Sequence, residues 1–309
     1  MVEPLSTGPQ PYILDVDTGI DDALALALAV RSPEIELIAV STLAGNVDVR
    51  QTTENTRRVL TWLGASDVPV HRGASRPLAK APRHATHVHG NNGLGGVELP
   101  ESSNSLGPDR GPAAIIRHAT ARPGEITLVC VGPLTNLAIA LNVEPCLPSL
   151  LRRVVIMGGS FLNPGNVTPY AEFNMYVDSD AAQQVFDTAF ADMTLVGLDV
   201  THQATLDREA WERAGSSQSP FALLAHRTYA ESFTARGKRG CYLHDPMAVA
   251  LAVDPTLAGY ATGSVAVEQD GELRGKTTVA PAKVGARIAE SIDVERFQRF
   301  FNERLDLES

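Results

Sequence analysis

The sequence predicts an α/β protein built as a single domain, with a mostly parallel central sheet flanked by helices and a few antiparallel edge strands. Three observations carry this. Short Val/Ile/Leu runs alternate with longer segments of helical spacing from residue 12 onward, the rhythm of strands joined by helical crossovers. Polar residues concentrate directly after the apolar runs, at 17–22, 45–46, 131–136, 158–174 and 199–202. In a doubly wound sheet these strand ends share one edge, where ligand sites form. No internal repeat, low-complexity tract or linker divides the chain, so 11–309 reads as one domain behind a loose tail at 1–10.

Residues 12–16 read as a buried strand, Thr18-Gly19 as a turn, and Asp21 or Asp22 as the start of an Ala/Leu-rich helix. A strand at 34–42 follows, then a helix at about 48–63 with Val49, Val59, Leu60 and Leu63 at helical spacing, then a short strand at 68–71. The rhythm breaks over 73–111. Pro77, Pro82, Pro100, Pro108, three histidines (84, 87 and 89) and the run Gly-Asn-Asn-Gly-Leu-Gly-Gly at 90–96 mark a long loop of the kind that serves a site, or a lid over it.

The helix that follows begins at Ile115 and runs to Ala121. Residues 125–131 form a strand that Gly132-Pro133 turns into a helix ending near Leu141. Strand 154–157 leads into a second irregular stretch reaching Tyr176, then a helix at 178–186 capped by Asp178 or Ser179, and a strand at 193–198. Two helices split at 215–220 fill 207–236, and a basic, Gly-rich turn covers 237–241. Pro246 stands at the early position a helix tolerates, so His244-Asp245 opens the next helix. Strands at 263–268 and 276–279 suit an antiparallel edge, and an amphipathic helix at 293–301 closes the chain.

The net charge of −10 over 309 residues argues against a nucleic-acid partner bound through phosphate neutralisation. No apolar run has the length to cross a membrane. The N-terminal tail has neither the basic nor the apolar region of a signal peptide. Cys130, Cys146 and Cys241 are odd in number and widely spaced; they make no zinc or disulfide pattern and suit small buried groups in a reducing cytoplasm.

Asp15, Asp17, Asp21 and Asp22 fall within eight residues of one strand-to-helix junction. A helix N-terminus favours one carboxylate through its dipole and free N–H groups, but four in close quarters repel or take up protons. A hard divalent cation resolves the conflict. Oxygen donors without cysteine suit Ca²⁺ or Mg²⁺ over Zn²⁺, and Ca²⁺ also accepts backbone carbonyls and substrate hydroxyls. Asn163, Asn166, Glu172 and Asn174 are neutral or acidic. They suit hydroxyl groups, whereas phosphates call for Arg, Lys or Gly-rich nests.

The run Asp15-Val16-Asp17-Thr18-Gly19-Ile20-Asp21-Asp22-Ala23 resembles the N-terminal signature of the calcium-dependent nucleoside hydrolases (inosine-uridine preferring nucleoside N-ribohydrolases). Seven further motifs recur in that family's order: Ala44-Gly45-Asn46, His89-Gly90, Val131-Gly132-Pro133-Leu134-Thr135-Asn136, Met157-Gly158-Gly159, Ala171-Glu172-Phe173-Asn174, Leu198-Asp199-Val200-Thr201-His202, and His244-Asp245. The resemblance runs from about Tyr12 to Phe301. It implies the nucleoside hydrolase fold with residues 11–309 as a single catalytic domain, one Ca²⁺ per subunit, hydrolysis of the N-glycosidic bond of ribonucleosides to ribose and free base, and a homodimer or homotetramer. By the same resemblance, Asp17, Asp22, Asp245 and the Val131 carbonyl hold the metal, and Asp17 also takes the proton of the attacking water at the metal. Asp21, Asn46, Asn166, Glu172 and Asn174 hold the ribose, Met157 packs on the sugar, His89 lines the pocket, and His244 serves the leaving base. Asp15 is then an orienting residue. His84 and His87 are left as loop histidines, and Arg236 to Arg239 as a solvated turn. Two departures fall on the base side: Asn91-Asn92 stands where the family often has an acid, and the helix before His244 carries Tyr229, Ser232 and Phe233 out of the usual tyrosine positions.

Two other readings compete. A phosphatase of the haloacid-dehalogenase type also begins strand-Asp-x-Asp; Asp15 would be its nucleophile and Mg²⁺ its metal. A non-catalytic nucleoside- or sugar-binding protein would keep the ribose contacts without needing Asp17 as a base.

Overall fold

The strand that begins the sheet, β1 (Gln10–Val16), is buried along nearly its whole length because both faces of the sheet are covered. The computed structural model describes residues 8–308; positions 1–7 of the expected tail lie outside the described residues. At the tail's other end, Gln10 already pairs with Ile35. The remaining strands are β2 (Ile35–Thr42), β3 (Val70–Arg72), β4 (Thr127–Cys130), β5 (Arg153–Met157), β6 (Met193–Val196), β7 (Thr205–Asp207), β8 (Gly240–Tyr242), β9 (Ala258–Val267), β10 (Thr277–Pro281) and β11 (Ala286–Ile292). Nine of them form one sheet in the order β10-β9-β11-β6-β5-β4-β1-β2-β3, and β7 and β8 form a separate antiparallel pair.

The run from β11 to β3 is parallel throughout, while β9 is antiparallel to both of its neighbours. The chain builds outward from β1 through β2 and β3, then returns to lay β4, β5 and β6 on β1's other side. The order reverses between β1 and β4, and there the connections diverge and leave a crevice at the strands' carboxyl ends.

Period-two alternation sorts the core into two layers. Tyr12, Leu14, Val16, Val129 and Val155 face one layer, and Ile13, Leu128, Cys130, Val154 and Ile156 face the other. The first layer contains the helices Ile20–Arg31 and His244–Val253, both rich in alanine and buried almost all round. Their small side chains allow the two helix backbones to pack close together. Both begin at the same sheet edge, so Asp21 and Asp22 arrive beside His244 and Asp245. Phe297 and Phe301 of the C-terminal helix Val294–Arg304 are fully buried behind them; burying a side chain of this size contributes roughly 1.5–3 kcal/mol.

The structure departs from the sequence reading in several places. β11 has no counterpart in it: the run Ala286–Ile292 alternates poorly, with two consecutive exposed residues, and it is held by pairing with β6 and β9. β7 and β8 are too short to show a period, and β8 takes over the end of the expected basic turn. The helix expected from Ile115 runs Gly111–Ala121 with Pro112 in its first turn. The long loop contains the short helix Thr86–His89, and the second irregular stretch already turns helical at Phe173–Val177.

Candidate active site

Beyond Val16 the chain leaves the sheet as Asp17-Thr18-Gly19 and enters the helix Ile20–Arg31. Asp22 turns back over that helix's start. Its Oδ1 accepts the Asp17 N–H at 3.1 Å, and its Oδ2 accepts the Gly19 N–H at 2.8 Å and the Asn46 side-chain amide at 3.1 Å. Asp17 accepts the Asn46 N–H on Oδ2 at 2.7 Å, while its other oxygen is buried with no hydrogen-bond partner among the described residues. Glycine makes room for this carboxylate: a Cβ on Gly45 would collide with Oδ2, and one on Gly132 would stand 2.7 Å from Oδ1.

Asp21, Asp22 and Asp245 each offer an oxygen within 4.8 Å of the other two. The carboxylate trio among the described residues therefore includes Asp21, which the sequence reading assigned to the ribose; Asp17 joins the trio through its backbone contact with Asp22. Burial first, and the neighbouring carboxylates second, push Asp17 and Asp245 well above the usual carboxylate range. The same causes raise Asp22 to about 7. Acids this strained by mutual proximity mark a site built for a cation. The donors are all oxygens, one of them unpartnered, which fits a hard divalent ion.

From β4, Val131 places its carbonyl in the same crevice, where it accepts the Asn174 side-chain amide at 2.8 Å. Asn174 also reaches the Met157 carbonyl at the end of β5, at 3.3 Å. Glu172 caps the helix Phe173–Val177, accepting the Asn174 and Met175 N–H groups at 2.8 and 3.1 Å and the Gly159 N–H at 3.1 Å. Burial still raises its carboxyl above the ordinary range. Asn166 accepts the Phe173 N–H at 2.9 Å. The loop carrying Asn166 is anchored by Asp199, whose carboxylate takes the N–H groups of Phe161, Leu162 and Asn163 at 2.8, 2.8 and 2.9 Å.

Two histidines border the opposite wall. His89 Nδ1 accepts the Ile20 N–H at 3.0 Å, so its ring proton sits on Nε2 and its 3.9 Å approach to Asp21 is not an ion pair. Burial lowers its pKa. His244 contacts the Thr201 hydroxyl through Nδ1 at 2.8 Å, and burial pushes its pKa down to about 4.

Every residue that the resemblance assigned to metal, ribose, base or proton transfer, save Asp22, lines one cavity of about 230 Å³; Asp22 stands directly behind it, and Asn163, also singled out for its hydroxyl-binding side chain, is absent from the lining. Asp15 is absent from the lining. It shares Ile13's side of β1, is fully buried, and accepts the Asn136 amide at 2.7 Å, which removes it as a phosphatase nucleophile. His87 and Lys238 do line the cavity, correcting their reading as a loop histidine and part of a solvated turn. Arg236 of that turn pairs with Glu231 at 2.8 Å and donates to the Val88 carbonyl at 3.1 Å. Tyr229, Ser232, Cys241 and Tyr242 complete the far end. They lie on helices and a short strand whose direction toward the pocket no local pattern encodes.

Comparison with known proteins follows the same line. Residues 12–299 match the family model described as inosine-uridine preferring nucleoside hydrolase. The non-specific ribonucleoside hydrolase RihC of Escherichia coli (strain SMS-3-5 / SECEC) is 39% identical over 309 residues, covering 97% of this chain and 99% of that one. The inosine-uridine preferring nucleoside hydrolase of Leishmania major is 36% identical over 300 residues, covering 94% and 95%. The solved plant nucleoside hydrolase PpNRh1 superposes with a TM-score of 0.90 at 35% identity, covering 96% of this chain and 99% of that one.

Proposed function

The chain belongs to the inosine-uridine preferring nucleoside hydrolase family, and from this premise we propose that it hydrolyses the N-glycosidic bond of ribonucleosides with the help of a bound Ca²⁺. The observation that carries the reading is the meeting of Asp17, Asp21, Asp22 and Asp245 with the Val131 carbonyl at the β1/β4 crevice, with one Asp17 oxygen left unpartnered. Asp17, Asp22, Asp245 and the Val131 carbonyl would hold the ion, with Asp21 close enough to share in it. When bound, the ion lowers the pKa of water and neutralises the converging carboxylates.

The chain's own residues supply the rest. Asp17 accepts the proton of the attacking water. Asp21, Asn46, Asn166, Glu172 and Asn174 hold the ribose hydroxyls, and Met157 packs on the sugar. Tight hold of the ring hydroxyls stabilises the oxocarbenium-like sugar formed as the bond breaks. His244, with His89 beside it, faces the departing base. Because the amides and carboxylates that meet the 2′-hydroxyl would be left unpaired by a deoxyribose, 2′-deoxyribonucleosides should react at least about 100-fold more slowly. Comparable rates on both sugars would overturn this assignment of the ribose contacts.

No helix among the described residues is long and apolar enough to cross a membrane. Residues 11–309 act as one catalytic domain, in a cytoplasmic homodimer or homotetramer of a nucleoside salvage route. This part rests on the family resemblance, and the measured mass in solution tests the assembly.

A further inference from the structure

Thr201 ends the short helix Leu198–Thr201 and is fully buried. A helical threonine usually turns its hydroxyl to a carbonyl three or four residues back. Here the hydroxyl meets His244 Nδ1 at 2.8 Å and makes no other hydrogen bond among the described residues. The helix beneath it is rigidly placed. Leu198 N–H donates to the Gly159 carbonyl at 2.9 Å, and Asp199 grips three successive N–H groups of the loop 161–163. The His244 ring is flanked by the rings of His202 and Tyr242, with centroids at 5.6 and 5.7 Å.

The direction of the Thr201 bond follows from what the hydroxyl lacks. If it accepted a hydrogen from Nδ1, its own hydrogen would be buried without an acceptor, which is unfavourable. Donating to Nδ1 satisfies it, and the neutral imidazole must then carry its hydrogen on Nε2. With Nδ1 taken, Nε2 is the only ring nitrogen left to a ligand in the cavity that His244 lines.

We propose that Thr201 is a positioning residue for leaving-group departure, holding His244 as the Nε2–H tautomer with that hydrogen presented to the base. The inference rests on the proposed function above. His244 then acts as a hydrogen-bond donor. As the glycosidic bond breaks, its electron pair goes to the base nitrogen, the water oxygen bonds to the anomeric carbon and the water proton goes to Asp17. The Nε2–H group stabilises the charge on the base, which takes its proton from solvent, and Asp17 returns its own proton to solvent.

The test compares wild type, Thr201→Val and Thr201→Ser on the best ribonucleoside and on p-nitrophenyl β-ribofuranoside, whose phenolate leaves without help. Thr201→Val should lower kcat on the nucleoside roughly 10- to 100-fold with KM changed less than about 3-fold, Thr201→Ser should restore most of it, and all three should cleave the nitrophenyl riboside at similar rates. Equal losses on both substrates, no rescue by serine, or no loss at all would overturn the proposal. Nitrogen-15 spectra of the wild-type ring give an independent reading should the valine variant not fold. A bare Nδ1 with a protonated Nε2 supports the tautomer; the reverse contradicts it. If wild type releases no ribose from any ribonucleoside, the proposed function fails instead, and the spectra still decide the tautomer.

Discussion

Gly132 stands against the one oxygen of Asp17 that has no hydrogen-bond partner among the described residues: a Cβ added there would lie 2.7 Å from Oδ1. The glycine keeps open the space in front of a buried carboxylate. Gly132→Ala should therefore fold but fill the ion's approach. We expect a loss of activity of at least about 100-fold and a much smaller rise in Tm on calcium addition than wild type gives. An alanine variant with normal activity and a normal calcium-dependent Tm would show that Oδ1 is not where the ion binds.

Asp17→Asn keeps the shape and the acceptor for the Asn46 N–H while removing the charge. Turnover should fall roughly 10²- to 10⁴-fold, the range of a lost general base. Burial first, and repulsion from Asp22 and Asp21 after it, raise the Asp17 pKa; removing the charge relieves both and should leave the ion-free variant at least as stable as ion-free wild type. Thermal unfolding in chelator checks this; a clear drop in Tm would mean that the carboxylate is a net stabiliser without the ion.

The pH dependence of stability has a definite sign. Asp15 and Asp22 are raised to about 7 from an ordinary value of 3.8, by burial foremost, and Asp17 and Asp245 are raised as well. The ion-free fold thus holds more protons than the unfolded chain across that interval, so its stability falls as pH rises from about 4 to about 7. Glu34 runs the other way: its hydrogen bond and charge pairing with Arg304 lower its pKa, a contribution present at neutral pH and lost on acidification. An ion requires the carboxylates deprotonated, so its stabilisation grows with pH. Calcium should raise Tm far more at pH about 7.5 than at about 5, and equal gains would contradict the carboxylate site.

Asp199→Ala frees the three N–H groups of Phe161, Leu162 and Asn163 and loosens the loop that carries Asn166. Each hydrogen bond to a charged acceptor contributes about 1.5–3 kcal/mol, part of which water restores at this edge. Steady-state kinetics should show KM rising several-fold, with a moderate fall in Tm. An unchanged KM would mean that Asn166 does not depend on this anchor.

Much of this was legible in the chain. The 3.6- and 2-residue periods around 12–63 and the Ala/Leu composition of two helices reveal the layered sheet, and polar clusters after the strands reveal the site's edge. Asp15 shows where local reading stops. Two-residue alternation would put it on the same face as Asp17, two positions on; they part because β1 ends at Val16 and Asp17 already belongs to the turn beyond it. The nearness of Asp21 and Asp22 to Asp245 depends on two helices packing side by side, a long-range fact. β11 escaped because partner strands define it better than its own pattern. Lys238 and Tyr242 reach the pocket through tertiary contacts of a turn and a three-residue strand, and Thr201 has a partner 43 residues away in sequence.

The central claim is ribonucleoside hydrolysis at an ion held by these carboxylates. Its most direct test is ribose release from inosine, adenosine, guanosine, uridine and cytidine, in calcium, in excess chelator, and after calcium is restored. We expect ribose from one or more of the five, suppressed by the chelator and recovered with calcium. Ribose release that chelation leaves untouched, or none from any of the five in calcium, would contradict the account.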